Sequence, residues 1–298
     1  MLDNRDRLIL DCLFKDARLT LSQLSRIVHI TRPAIFKRVK WLEAQGYLSR
    51  YDSIINWQML PFTKIIYFFT TNDNKDIKKL LERKECFTII RHTGKYTHSA
   101  WCFFQNDAQQ KSFEKLLPVK KEKVIIKSAL TQGLSLFSLP VSIPRPKVLS
   151  KKYRLDTTDI KIMSSLSEGG ARKTLNEISQ ETGISIDVIH YRKKELISHG
   201  YFSYFLAQPD TDKLKLLVTY IFIKTRKDVR LDFLDRVLVH FKTSTGIGCA
   251  IVTKDQDDYL ATLSRILEKV NHELSGLTIL HNKDYILLNR YPFEFLLQ

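Results

Sequence analysis

Cysteine is scarce and scattered. The 298 residues contain Cys12, Cys86, Cys102 and Cys249, none of them in a C-x-x-C pair. That excludes a disulfide-stapled scaffold and implies buried thiols in a reducing compartment. No apolar run reaches the roughly 18 residues that span a bilayer. The opening MLDNRDRLIL carries charge at once, unlike a signal peptide. A cytoplasmic protein without membrane contact is expected. The phosphate-cradling G-x-x-x-x-G-K-[ST], the dinucleotide G-x-G-x-x-G and the metal-binding H-E-x-x-H are all missing. No Cys/His cluster has zinc spacing. No metal, no cofactor and no enzyme activity is expected.

Positive charge, by contrast, is plentiful. Lys+Arg is 48 against 32 for Asp+Glu, a net +16. Residues 1–150 hold 26 basic and 13 acidic side chains, whereas residues 151–298 hold 22 and 19. An excess concentrated in one half implies a polyanionic partner met mainly by that half. A general bias toward lysine for solubility is the plainer alternative.

The chain repeats itself at an offset of 153–154 residues. Leu2-Asp3-x-x-Asp6-x-x-Ile9 recurs as Leu155-Asp156-x-x-Asp159-x-x-Ile162, and Ala17-Arg18 recurs as Ala171-Arg172. Arg38, Leu42 and Gly46-Tyr47 recur as Arg192, Leu196 and Gly200-Tyr201. The join falls in Leu139–Tyr153, whose three prolines favour extended backbone.

Each copy opens with three short helices. Asp3 can cap the first, over Asn4–Lys15, with Leu8, Leu10, Leu13 and Phe14 on one face. Thr20 can cap the second. Thr31 can cap the third, which tolerates Pro33 in its first turn and ends at Gly46. Tyr47–Ile55 reads as a small wing. This is a winged helix-turn-helix, whose third helix projects into a DNA major groove. Thr31, Arg32, Lys37, Arg38 and Lys40 are its candidate DNA contacts, with Arg50 in the wing; lysine and arginine pair with phosphates, and arginine also forks onto guanine. A solvated amphipathic face is the plainer reading. In the second copy Arg192 and Lys193 are candidates, but Asp187 and Glu195 oppose them. That helix either touches DNA poorly or serves as packing or a partner surface.

After each winged helix the strand and helix signals follow β-α-β-β-α-β, a ferredoxin-like unit. The first copy offers strands at 64–70, 87–92, 99–104 and 124–126, with helices at Asn74–Arg83 and Asp107–Leu117. The second offers strands at 216–223, 248–252 and 277–280, with helices at Val229–His240 and Gln256–Leu274. The expected class is α+β. The expected divisions are a winged helix at 1–60, a ferredoxin-like regulatory module at 61–138, a linker at 139–153, a second winged helix at 154–210 and a second module at 211–298. Arg91, His92, Lys95, Tyr96 and His98 could hold a carboxylate or donate protons near pH 7. A strand-turn-strand with polar tips is the plainer explanation and the one preferred.

Leu-Asp-x-x-Asp-x-x-Ile, Asp16-Ala17-Arg18 and Arg38-Val39-x-x-Leu42-Glu43-x-x-Gly46-Tyr47 resemble the Lrp/AsnC transcriptional regulators. Those proteins pair one winged helix with one ferredoxin-like, RAM-type module and dimerise through the module sheets. The resemblance implies a covalently fused pseudo-dimer that binds double-stranded DNA, and a homodimer if exposed aromatic sheet faces seek cover. The family's turn before the third strand reads glycine, aromatic, aspartate. Here Gly94-Lys95-Tyr96-Thr97-His98 and Gly246-Ile247-Gly248-Cys249 lack the acid. A small-molecule effector is therefore in question, with Arg91, Gly94, Tyr96 and His98 as its candidate residues. Siroheme decarboxylases resemble the same family and work as two related halves, which leaves an enzyme as one alternative. A co-regulator acting through protein contacts is another.

Overall fold

The computed structural model describes residues 2–130, 136–137, 153–167, 169–225, 237–270, 274–287 and 291–297. The first copy runs α1 (Asn4–Lys15), α2 (Leu21–Val28), α3 (Arg32–Ala44), β1 (Leu48–Ile55), β2 (Thr63–Phe69), α4 (Asn74–Leu81), β3 (Cys86–Gly94), β4 (His98–Phe104), α5 (Asp107–Glu114) and β5 (Lys121–Leu130). The second runs α6 (Thr157–Ser167), α7 (Leu175–Thr182), α8 (Ile186–Ser198), β6 (Phe202–Pro209), β7 (Leu217–Lys224), β8 (Val237–Thr243), β9 (Gly246–Thr253), α9 (Gln256–Val270) and β10 (Gly276–Leu287). The proline-rich join at 139–152 lies outside the described residues.

The chain divides into two compact units, and each takes material from both copies. The first comprises Met1–Leu60, Ser135–Leu214 and Phe293–Gln298. Its helices start where the sequence supplies caps. The Asp6 amide donates to the Asp3 carboxylate at 2.8 Å and the Asp3 amide donates back to Asp6 at 3.1 Å. Asp156 and Asp159 repeat this reciprocal box in the second copy. Thr20 with Gln23 and Thr174 with Glu177 form the same device at α2 and α7. Helix α2 ends on His29 at φ +56° and α7 on Gly183 at φ +71°, equivalent positions in the repeat.

The small wing expected at Tyr47–Ile55 is corrected in one respect, since it is not a hairpin closed within one copy. Each copy contributes one strand, and β1 pairs antiparallel with β6, Tyr51 opposite Ala207 and Ser53 opposite Phe205. Residues 47–55 contain no glycine, proline or asparagine to reverse the chain. The lone strand therefore takes its partner from the other copy. The Ala-Arg motif seals this junction twice. Ala17 N donates to Phe205 O at 2.8 Å, and Ala171 N donates to Tyr51 O at 3.0 Å. The Arg18 guanidinium lies 4.0 Å from the Phe205 ring centre, and that of Arg172 4.0 Å from the Tyr51 ring centre. Both pairs are related by the repeat offset, so the two heads share an internal two-fold.

The second unit comprises Pro61–Leu134 and Lys215–Pro292. Within the first copy the sheet order is β3-β4-β2-β5, the ferredoxin-like arrangement. Its edge strands β3 and β5 pair with β10 and β8 of the second copy, closing an eight-stranded barrel. Among the described residues of this barrel no edge strand is left open, which removes the usual route to strand addition there. One face of the first sheet packs under α4 and α5 through Tyr67, Phe69, Cys102 and Phe104. The other face meets the second copy's sheet: Phe68 stacks edge-on to Phe222 at 4.6 Å, and Trp101 contacts Tyr220 and Phe241. The aromatic faces that suggested pairing between chains are thus covered within one chain. His92 is buried there, its Nε2 2.7 Å from Ser99 Oγ.

The helix expected at Val229–His240 is corrected in part. Residues 229–236 lie outside the described set, and Val237–His240 belong to strand β8. The alternating Val237, Val239 and Phe241 suit a pleated strand better than a helix.

Candidate nucleic-acid interface

Helix α3 is fixed in rotation by Ile35, Val39 and Leu42, all buried against α1 and α2. That leaves Arg32, Lys37 and Lys40 exposed on the opposite side, with Thr31 exposed at the amino end. The Thr31 side chain makes no capping bond. Lys40 lies 2.9 Å from Glu43 on the same helix, a surface pair of little energetic weight. Arg26 on α2 is also exposed, a cation that attention to α3 alone overlooks.

Arg38 does not stand with them. Its guanidinium lies 2.6 Å from Asp6 and 2.8 Å from Asp3, tying α3 to the start of α1. The bond to Asp6 raises the Arg38 pKa further, and the Asp6 backbone amide, aided by Arg38, holds the Asp3 carboxyl below its ordinary range. The outward placement expected for Arg38 is corrected. The signal was present: Ile35, Arg38, Val39 and Leu42 follow the i, i+3, i+4, i+7 spacing of a buried stripe. The repeated aspartates of Leu-Asp-x-x-Asp supply its partners. Arg192 repeats the arrangement, lying 2.9 Å from Asp156 and 3.4 Å from Asp159 and donating to the Tyr153 hydroxyl at 2.9 Å.

Arg50 is likewise engaged, 2.9 Å from the fully buried Asp52. Lys193 is half-buried; desolvation, and then the nearby Arg18, lower its pKa. Of the eight cation or cap positions expected to face DNA, Thr31, Arg32, Lys37 and Lys40 share one open face. The other four are half-buried, with Arg38, Arg50 and Arg192 held in ion pairs.

The exposed surface of α8 differs in charge, whereas large apolar side chains stand exposed on both helices, Phe36 and Trp41 among them on α3. Ile186, Val188 and Tyr191 are exposed on α8, together with Asp187, His190 and Lys194. The internal two-fold of the heads is kept in the backbone and broken in the outward side chains.

Among the candidate effector residues, Arg91 and His98 are register partners across β3 and β4. Tyr96 donates to Glu122 at 2.7 Å, and His98 is buried, stacked on Phe69 at 5.7 Å. Arg91 is half-buried on β3. Gly94 adopts φ +129°, and a Cβ there would lie 2.7 Å from the Ile279 carbonyl. A close strand approach therefore explains the glycine. A cleft of about 640 Å³ opens at the equivalent turn of the second copy, lined by Lys127, Lys224, Lys242 and Gly246. Its Lys224 is paired with Glu122 at 2.7 Å.

Among the described residues no helix is long and apolar enough to cross a membrane, and no group of three His, Cys, Asp or Glu side chains could hold a metal.

Residues 2–49 and 155–202 both match the winged helix-turn-helix DNA-binding family model. The HTH-type transcriptional regulator LrpA of Pyrococcus abyssi is 32% identical over 91 residues, covering 30% of this chain and 64% of that protein. The leucine-responsive regulatory protein of Escherichia coli K12 is 30% identical over 98 residues, covering 30% and 60%. The chain thus matches about three fifths of these relatives' length. In three dimensions the siroheme decarboxylase NirDL, in complex with an iron-uroporphyrin III analogue, aligns over 98% of this chain and 97% of its own. Its TM-score is 0.57 at 12% identity, a likeness of fold.

Proposed function

We propose that this chain, similar over part of its length to Lrp-type regulators, is a DNA-binding transcriptional regulator of Lrp/AsnC type in tandem form. In this reading one chain supplies both halves of a pseudo-dimer, and the first winged helix does most of the DNA contact. The observation that carries it is the open face of α3, where Arg32, Lys37 and Lys40 stand exposed around an extended amino end at Thr31. Lys37 and Lys40 would bind phosphates and release counterions. Arg32, at the end that enters the groove deepest, would read a base edge. Arg38, Arg192, Arg50 and Lys193 would serve the framework and leave the duplex to α3. Since α8 lacks a comparable cationic face, one chain would read one half-site.

Selection from a random oligonucleotide library, followed by shift titrations at several salt concentrations, tests this. The expected result is an enriched, non-palindromic motif whose binding weakens steeply with salt. Recovery of no motif, together with affinity too weak to shift any duplex at low salt, would refute it.

The full-length likeness to a siroheme decarboxylase supports a second reading, an enzyme of the same fold. Adding siroheme to the pure protein and recording its visible spectrum separates the two. A shifted Soret band with turnover to a decarboxylated product would establish the enzyme.

A further inference from the structure

In the repeat, α8 stands where α3 stands, yet its outward positions carry different chemistry. Ile186 replaces Arg32, Asp187 replaces Pro33 and Tyr191 replaces Lys37. Tyr191 is 59% exposed, Ile186 43% and Val188 40%. Asp187 and Lys194 are exposed, and among the described residues neither makes an ion pair. Asp187 lies at the amino end, the position where it would repel a phosphate. Helix α3 also exposes Phe36 and Trp41, so what sets α8 apart is the replacement of Arg32 and Lys37 by Ile186 and Tyr191 and the gain of Asp187, which suits contact with something other than a polyanion.

We propose that α8 is a self-association surface. It pairs antiparallel with α8 of a second copy of this chain, about a two-fold axis passing between His190 and Tyr191. Asp187 and Lys194 are seven residues apart, two helical turns or about 10 Å, and lie on one stripe. A two-fold axis at the midpoint exchanges the helix ends. Asp187 then meets Lys194 of the second copy, and the pair forms twice. Tyr191 packs over Val188 of the second copy and shields both ion pairs from water. A parallel arrangement would instead oppose Asp187 to Asp187. Helix α3 has no such complementarity, because Pro33 and Lys40 occupy the two equivalent positions. Among the described residues the barrel offers no open strand edge that would compete with this contact. One helix pair covers less area than a standard protein interface, so the association is weak and concentration-dependent.

This proposal does not depend on DNA binding by α3, and its test contains no DNA in the first arm. Sedimentation velocity of the full chain over a concentration series should show a reversible monomer–dimer equilibrium. Asp187→Lys and Lys194→Asp should each weaken it at least tenfold. Asp187→Lys combined with Lys194→Asp should restore it, because the ion pairs re-form with reversed polarity. Far-ultraviolet circular dichroism checks that each variant keeps the wild-type helix content. As an independent readout, His190→Cys places a thiol beside the axis and should cross-link to dimer with a short bis-maleimide. A chain that stays monomeric at the highest soluble concentration overturns the proposal. So does a dimer indifferent to the single reversals, or a His190→Cys variant that does not cross-link. In a second arm, single reversals that change affinity for a duplex while the mass stays monomeric would assign α8 to DNA and overturn it equally.

Discussion

Arg38 reaches Asp6 at 2.6 Å, across the gap between the third helix and the first. The contact is a structural staple, and Arg192 with Asp156 and Asp159 repeats it at the same offset. Arg38→Ala leaves the buried Asp6 carboxylate with one donor fewer. The expected loss is roughly 1–3 kcal/mol of stability, read as a lower urea midpoint at unchanged slope. Its effect on the salt dependence of DNA binding should be nil. A reduced salt slope without loss of stability would place Arg38 on the duplex instead.

The open face of α3 makes the opposite prediction. Lys37→Ala should weaken binding across all sequences and flatten the slope of log affinity against log salt by about 1. Arg32→Ala should cost about 1–3 kcal/mol on the preferred sequence and much less on others, relaxing preference at one base position. Neither change should move the unfolding midpoint, since both side chains are exposed. Competition titrations with the selected motif and a scrambled duplex measure both effects.

His92 makes stability depend on pH. Burial, and then the neighbouring His98, push its ring down to about 4 from an ordinary value near 6.5. The unfolded chain takes up that proton at a higher pH than the folded one. The stabilisation is therefore fully present above pH 6.5 and is lost as pH falls toward 4, by on the order of 3 kcal/mol. Denaturant titrations across that range should show the decline, and His92→Gln should flatten it. A wild-type profile level between pH 6.5 and 4 would contradict the burial of a neutral ring.

Two glycines should respond differently to alanine. At Gly246, φ is +154° and a Cβ would lie 2.1 Å from the Ile223 carbonyl, so Gly246→Ala must shift a strand and cost more than about 3 kcal/mol. At Gly183, φ is +71° with nothing within 4 Å, and its counterpart is His29. Gly183→Ala should cost about 1 kcal/mol. Thermal unfolding of the two variants compares them directly.

The sequence alone determined what rests on local pattern. The duplication, the capped starts of α1 and α2, the first copy's β-α-β-β-α-β order and the buried stripe of α3 follow from short-range spacing, which fixes periodicity and cap chemistry. Tertiary structure decided the choices that local spacing leaves open. An arginine at the margin of a helical stripe can face either way, and Arg38 turned inward because α1 presents Asp3 and Asp6 to it. A strand such as β1 needs an edge to pair with, and nothing within Leu48–Ile55 says that the edge lies in β6, at the far end of a long separation in sequence. For the same reason strand β8 is not legible in the local sequence. Its residues alternate only in part, and its neighbours in the barrel, β5 and β9, belong one to each copy of the repeat.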